Sequence, residues 1–133
     1  MSKAFLLSVA LVMLGATVAS AADAPPLKVT EVSTDATYGT TEANPIKSGG
    51  GLHDGVERER IYLSFLRGPH GESISSSREG SCCSFPTPNA VIGGIGLLDV
   101  YIVTIAGGET RKLYIDMYDY DAPKAPVGFT VAQ

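Results

Sequence analysis

LLDVYIVTIAGGETRKLYIDMY, Leu97–Tyr118, is the stretch whose reading decides the fold. Two runs rich in β-branched and aromatic residues, Leu97 to Ile105 and Arg111 to Tyr118, flank the glycine-containing AGGET at 106–110, the pattern of a β-hairpin. A loop over 106–110 pairs Val103 with Leu113 and Tyr101 with Ile115. One face then carries Tyr101, Val103, Ile105, Leu113, Ile115 and Met117. The other carries Leu98, Val100, Ile102, Tyr114 and Tyr118, interrupted by Lys112 and Asp116. Both faces are too apolar to meet water across an open sheet, so each is expected to pack against something. A slip of one residue would exchange them.

Working outward, Arg60 to Leu66 places Ile61, Leu63 and Phe65 on one side and Tyr62, Ser64 and Leu66 on the other, and reads as a strand. RGPHGE at 67–72 then turns the chain. Upstream, Leu27 to Ser33 reads as an edge strand, Ala36 to Thr41 as a second short strand, and NPIKSGGG at 44–51 as a loop. Downstream, Pro126 to Val131 supplies a last strand. GGIG at 93–96 lacks the strand, glycine spacing and helix start of a dinucleotide site and is expected to bend the chain into the hairpin. No long segment shows helical periodicity, and fifteen glycines and eight prolines punctuate short strands. The expectation is an all-β domain, a small antiparallel sandwich or barrel.

The first 21 residues read as a signal peptide: Lys3, an apolar run from Ala4 to Val18, then the small residues Ala19, Ser20 and Ala21 at the cleavage point. That run is shorter than the roughly 20 apolar residues of a membrane-spanning helix, so no stable transmembrane anchor is expected after cleavage. Residues 22–133 then form one small β domain, periplasmic or secreted. The chain carries a net charge of −4, and removing Lys3 with the leader makes it one unit more acidic. This balance opposes nucleic-acid binding, which draws on clustered Lys and Arg.

Cys82 and Cys83 are adjacent and are the only cysteines. Neighbouring Cα atoms lie about 3.8 Å apart, below the roughly 4.4–6.8 Å of most disulfides, so a bond between them forces a tight local turn. Such a turn serves as a rigid knuckle or as a redox-labile switch. A nucleophilic role needs a cation or helix N-terminus to lower a thiol pKa, and Arg78 is the nearest basic residue in sequence. For metal binding, Cys82, Cys83, His53 and His70 supply sulfur and imidazole donors. Their spacing is not that of structural zinc, although a soft ion such as Cu(I) could use a sharply turned pair. Asp116, Asp119 and Asp121 are too few for calcium and read as strand-end carboxylates. No GxSxG elbow is present.

The strings YGTTEANPIKSGG, LRGPHGESI, GSCCSFPTPN, GLLDVYIVT, LYIDMYD and APVGF, in this order, resemble a small exported bacterial family of unknown function. The double cysteine with its Phe and Pro neighbours is the most specific of them. Many relatives resemble lipoproteins, whose lipid-attachment cysteine this chain lacks. Some carry the name 2-dehydro-3-deoxyphosphooctonate aldolase, which implies a (β/α) barrel of roughly 250 residues. This chain has neither that length nor a phosphate-cradling loop. The expected function is therefore that of an exported, non-enzymatic β domain with a binding or envelope-associated role, needing no cofactor. Its ligand or envelope partner is unknown, and its ligand surface is placed at Cys82, Cys83 and Phe85. The alternatives are a thiol-redox enzyme or sensor using the same cysteines, or a soft-metal-binding protein.

Overall fold

The computed structural model describes residues 24–133, so the signal-peptide reading of residues 1–21 lies outside the described residues. Strands β1 (Ile46–Lys47), β2 (Leu66–Arg67), β3 (Ile74–Pro86), β4 (Ile95–Ile105), β5 (Thr110–Asp116) and β6 (Thr130–Val131) accompany one helix, α1 (Gly51–Ser64). A four-stranded sheet runs in the order β1-β5-β4-β3, and β2 pairs with β6 in a two-stranded ribbon. The architecture is β-rich and sandwich-like, and the sheets do not close into a barrel. It is not wholly antiparallel, because β1 runs parallel to β5.

The β4–β5 hairpin forms as the sequence predicts, with its register two residues away. Tyr101 pairs with Leu113 and Asp99 with Ile115, and the turn closes at Ile105 N–H to the Glu109 carbonyl, 2.7 Å. An even shift leaves every side chain on its own face. Tyr101, Val103, Ile105, Leu113 and Ile115 therefore still share one side, and they form the core with Ile46, Tyr62, Leu63, Leu66 and Phe129. The helix and the β2–β6 ribbon cover that side.

Arg60 to Leu66 is not a strand: residues 60–64 complete α1, and only Leu66 and Arg67 are extended. The buried positions of α1 are Gly51, Gly55, Arg58, Glu59, Tyr62 and Leu63, a helical stripe at intervals of three and four. Four of the six are glycine or charged, so hydrophobicity alone does not display the period. The helix starts at Gly50, whose φ of 98° is left-handed. A Cβ there would lie 2.6 Å from Arg58 Cδ and 2.9 Å from the Gly55 nitrogen, so only glycine fits.

The remaining short strands read upstream are also absent as strands. Residues 27–33 contribute one parallel bridge, Val32 to Ala125, and residues 36–40 form turns. Asp35 organises those turns, accepting hydrogen bonds from the Thr37 amide and hydroxyl and from Asn44. The segment 44–51 contains β1 as well as loop, and residues 126–131 contribute only the short β6. The 67–72 turn is found where expected, with Gly68 N–H donating to the Glu72 carbonyl at 2.8 Å. Among the described residues no helix is long and apolar enough to cross a membrane.

Candidate functional site

Strand β3, which the sequence reading had not resolved, carries both cysteines along an edge of the larger sheet. Its pairing with β4 is broken twice, between Arg78 and Gly80 and between Cys82 and Ser84, leaving Glu79 and Cys83 as extra residues. Each break is a β-bulge, which re-aims the side chains around it. Across the first bulge, Arg78 opposite Tyr101 and Ser81 opposite Asp99 come to share the helix-covered face. Residues three apart on a regular strand would point to opposite faces. Gly80 opposite Val100, Cys82 opposite Leu98 and Phe85 opposite Gly96 share the second face.

Cys82 and Cys83 are bonded, their sulfurs 2.12 Å apart and their Cα atoms 3.7 Å apart. Cys83 has φ 58°, a left-handed conformation uncommon outside glycine. The knuckle and second bulge are thus one feature, a tight turn inside a strand. A cavity of ≈ 320 Å³ adjoins it, lined by Gly80, Cys82, Cys83, Val100, Lys112 and Tyr114 together with Glu42 and Glu79. Lys112 is drawn to Glu79 at 3.3 Å. Phe85 lies on the same sheet face but does not line this cavity. Its ring packs edge-on against Tyr118, with centroids 6.1 Å apart.

The metal donors read from the sequence do not assemble as a group. His53 is exposed on α1 and His70 in the turn before β3, whereas the carboxylate beside the cysteines is Glu42. One donor atom from each of Glu42, Cys82 and Cys83 lies within 4.8 Å of the others.

Of the three aspartates, Asp116 and Asp119 stay together and Asp121 stands apart. Asp119 Oδ1 accepts from Thr87 Oγ1 at 2.5 Å and from Asn89 Nδ2 at 2.8 Å. These bonds hold the TPN end of the cysteine-bearing string against the LYIDMYD string. Asp119 is raised by burial, but those hydrogen bonds outweigh it and hold the carboxyl below its ordinary 3.8. Asp116 is buried and accepts from the Tyr118 and Asp119 amides. Burial, with the neighbouring Asp119 charge, pushes it up to about 7. Asp121 is exposed, and its amide donates to the Lys47 carbonyl.

Sequence reasoning missed a polar network on the helix-covered face. Glu59 of α1 is wholly buried and accepts from Tyr101 Oη at 2.7 Å. Beyond it, Asp99 accepts from Arg78 at 2.7 Å and from Ser81 at 2.9 Å. Burial, then hydrogen bonding to Asp99, pushes Glu59 up to about 8. Burial likewise raises Tyr101. The expected loop ends at Gly51 and the expected strand begins at Arg60, so Glu59 falls in a stretch for which the sequence offers no element and no signal.

No family model, curated protein or solved structure matches the chain.

Proposed function

We propose that this chain is an exported, non-enzymatic binding domain belonging with the family its GSCCSFPTPN string resembles, and that it takes a small ligand at the cavity beside the Cys82–Cys83 knuckle. The observation that carries this reading is the bulged, left-handed turn at Cys83, which presents the bonded sulfurs to a concave surface bearing Tyr114 and Lys112. Concave sites with an apolar wall and a few convergent polar groups are the usual form of a ligand pocket. The bonded pair favours recognition over nucleophilic chemistry, which requires a thiolate.

A soft-metal role is the second reading, favoured by the convergence of Glu42 with the two sulfurs. It requires the reduced pair, since thiolates are the ligands.

Two measurements test the proposal. Intact mass of the exported protein, with alkylation before and after reduction, is expected to show cleavage after Ala21 and thiols accessible only after reduction. An NMR fragment screen is expected to find ligands that shift the amides of residues 80–83, 100, 112 and 114, with binding lost in the Cys82→Ser/Cys83→Ser variant. Ligands that bind this variant unchanged would exclude the knuckle as the site. Cu(I) bound by the reduced protein and lost on Glu42→Gln substitution would favour the second reading.

A further inference from the structure

A different cavity, ≈ 490 Å³, opens between α1 and strands β3 and β4 on the helix-covered face. Arg60, Arg67 and Arg78 line it, with Val56, Leu63 and Ile74 as apolar wall. No acidic residue does. The concentration of cations stands against an acidic chain of net charge −4.

The three guanidinium groups are not equivalent. Arg78 is paired with Asp99 at 2.7 Å. Arg67 donates through Nη1 to the carbonyls of Ser64 and Leu66, at 3.0 and 2.7 Å, which fixes its position and leaves its charge uncompensated. Arg60 is exposed on α1. Among the described residues neither Arg60 nor Arg67 has an ion-pair partner. Tyr101 also lines the cavity, and its Oη is committed to Glu59. That carboxyl does not line the cavity, and burial pushes it up to about 8.

We propose that this cavity binds a small organic oxyanion, a carboxylate or phosphate monoester carrying an apolar body, with Arg60 and Arg67 taking the anionic group and Val56, Leu63 and Ile74 the body. The planar guanidinium fork suits either oxyanion, through two parallel charge-assisted hydrogen bonds. This site is on the opposite sheet face from the cysteine knuckle and is independent of it.

Calorimetric titration of the purified protein at pH 7 with benzoate, phenyl phosphate and benzyl alcohol tests the assignment. At least one anion is expected to bind saturably and benzyl alcohol not at all, with affinity falling as salt screens the arginines. The tighter anion identifies the headgroup. Arg60→Gln is expected to weaken binding about tenfold, the loss of one charge-assisted contact, without moving the thermal midpoint because Arg60 is exposed. Arg60→Gln/Arg67→Gln is expected to abolish binding. No saturable binding of either anion, equal binding of benzyl alcohol, or unchanged affinity in the folded double variant would overturn the proposal.

Discussion

Glu59 Oε1 and Asp116 Oδ2 are buried oxygens that find no hydrogen-bond partner while their carboxyls are ionised. An ionised carboxylate can only accept, and its neighbours here are other carboxylates. Protonation converts the orphan oxygen into a donor facing Asp99 in one case and Asp119 in the other. Each pair then shares a proton instead of opposing two charges. The folded state consequently binds more protons than the unfolded chain between 4.5 and about 8 at Glu59, and between 3.8 and about 7 at Asp116. Stability therefore falls as pH rises through those windows. The thermal midpoint is expected to drop by at least about 4 °C from pH 5 to pH 8, the equivalent of roughly 1 kcal/mol. Glu59→Gln keeps an acceptor for Tyr101 and a donor for Asp99 but cannot ionise. Its midpoint is expected to fall less over the same range, and a slope as steep as the parent's would remove Glu59 from the account.

At the scale of elements, the contact between α1 and the end of β5 depends on Gly55. A Cβ at that position would lie 2.8 Å from Met117 Sδ and 3.0 Å from Met117 Cβ, so either the Met117 side chain or the helix would have to shift. Alanine improves helix propensity by about 1 kcal/mol, whereas overpacking costs typically 1–3 kcal/mol. Gly55→Ala is expected to be destabilising overall by about 1 kcal/mol in urea unfolding. A stabilised variant would show that Met117 moves aside freely. The same glycine explains why the helix was illegible in the sequence. Its stripe consists of close-approach glycines, then Arg58 and Glu59, then Tyr62 and Leu63. Arg58 belongs inside because its guanidinium donates to the carbonyls of Ser48 and Pro25, both at 2.7 Å, and stacks 5.6 Å from the Tyr120 ring. None of those partners is near it in sequence. The hairpin was legible because its β-branched and aromatic residues alternate on faces that survive an even shift of register. The β3 bulges were not, since a bulge is defined by what the partner strand does opposite it.

For the whole molecule, one core joins segments far apart in the chain: Val29 near the described start, Ile46, the helix residues Tyr62 and Leu63, the hairpin, and Phe129 near the end. The final segment is tied down by Ala132 N–H to the Phe65 carbonyl at 2.7 Å and by β6 pairing with β2. Phe129 is only 3 % exposed. Phe129→Ala is expected to cost about 3–5 kcal/mol, with far-UV circular dichroism and tyrosine fluorescence losing signal at one common, lowered midpoint. Separate midpoints would mean that the β2–β6 ribbon unfolds apart from the larger sheet.

The sequence by itself determined the β-rich class, the β4–β5 hairpin with the composition of its two faces, the turn at 67–72, a bend at the GGIG of 93–96, whose last two residues belong to β4, and the adjacency of the two cysteines. These follow from local periodicity, turn chemistry and covalent order. Only the tertiary structure decided that residues 51–64 form a helix, that Arg78 and Ser81 share a face with Asp99, and that Thr87 and Asn89 meet Asp119. It likewise placed three arginines around one cavity. The physical reason is the same in each case: a charged or glycine residue takes its place inside the fold from the partner it meets across space, and hydrophobic pattern along the chain carries no record of that partner.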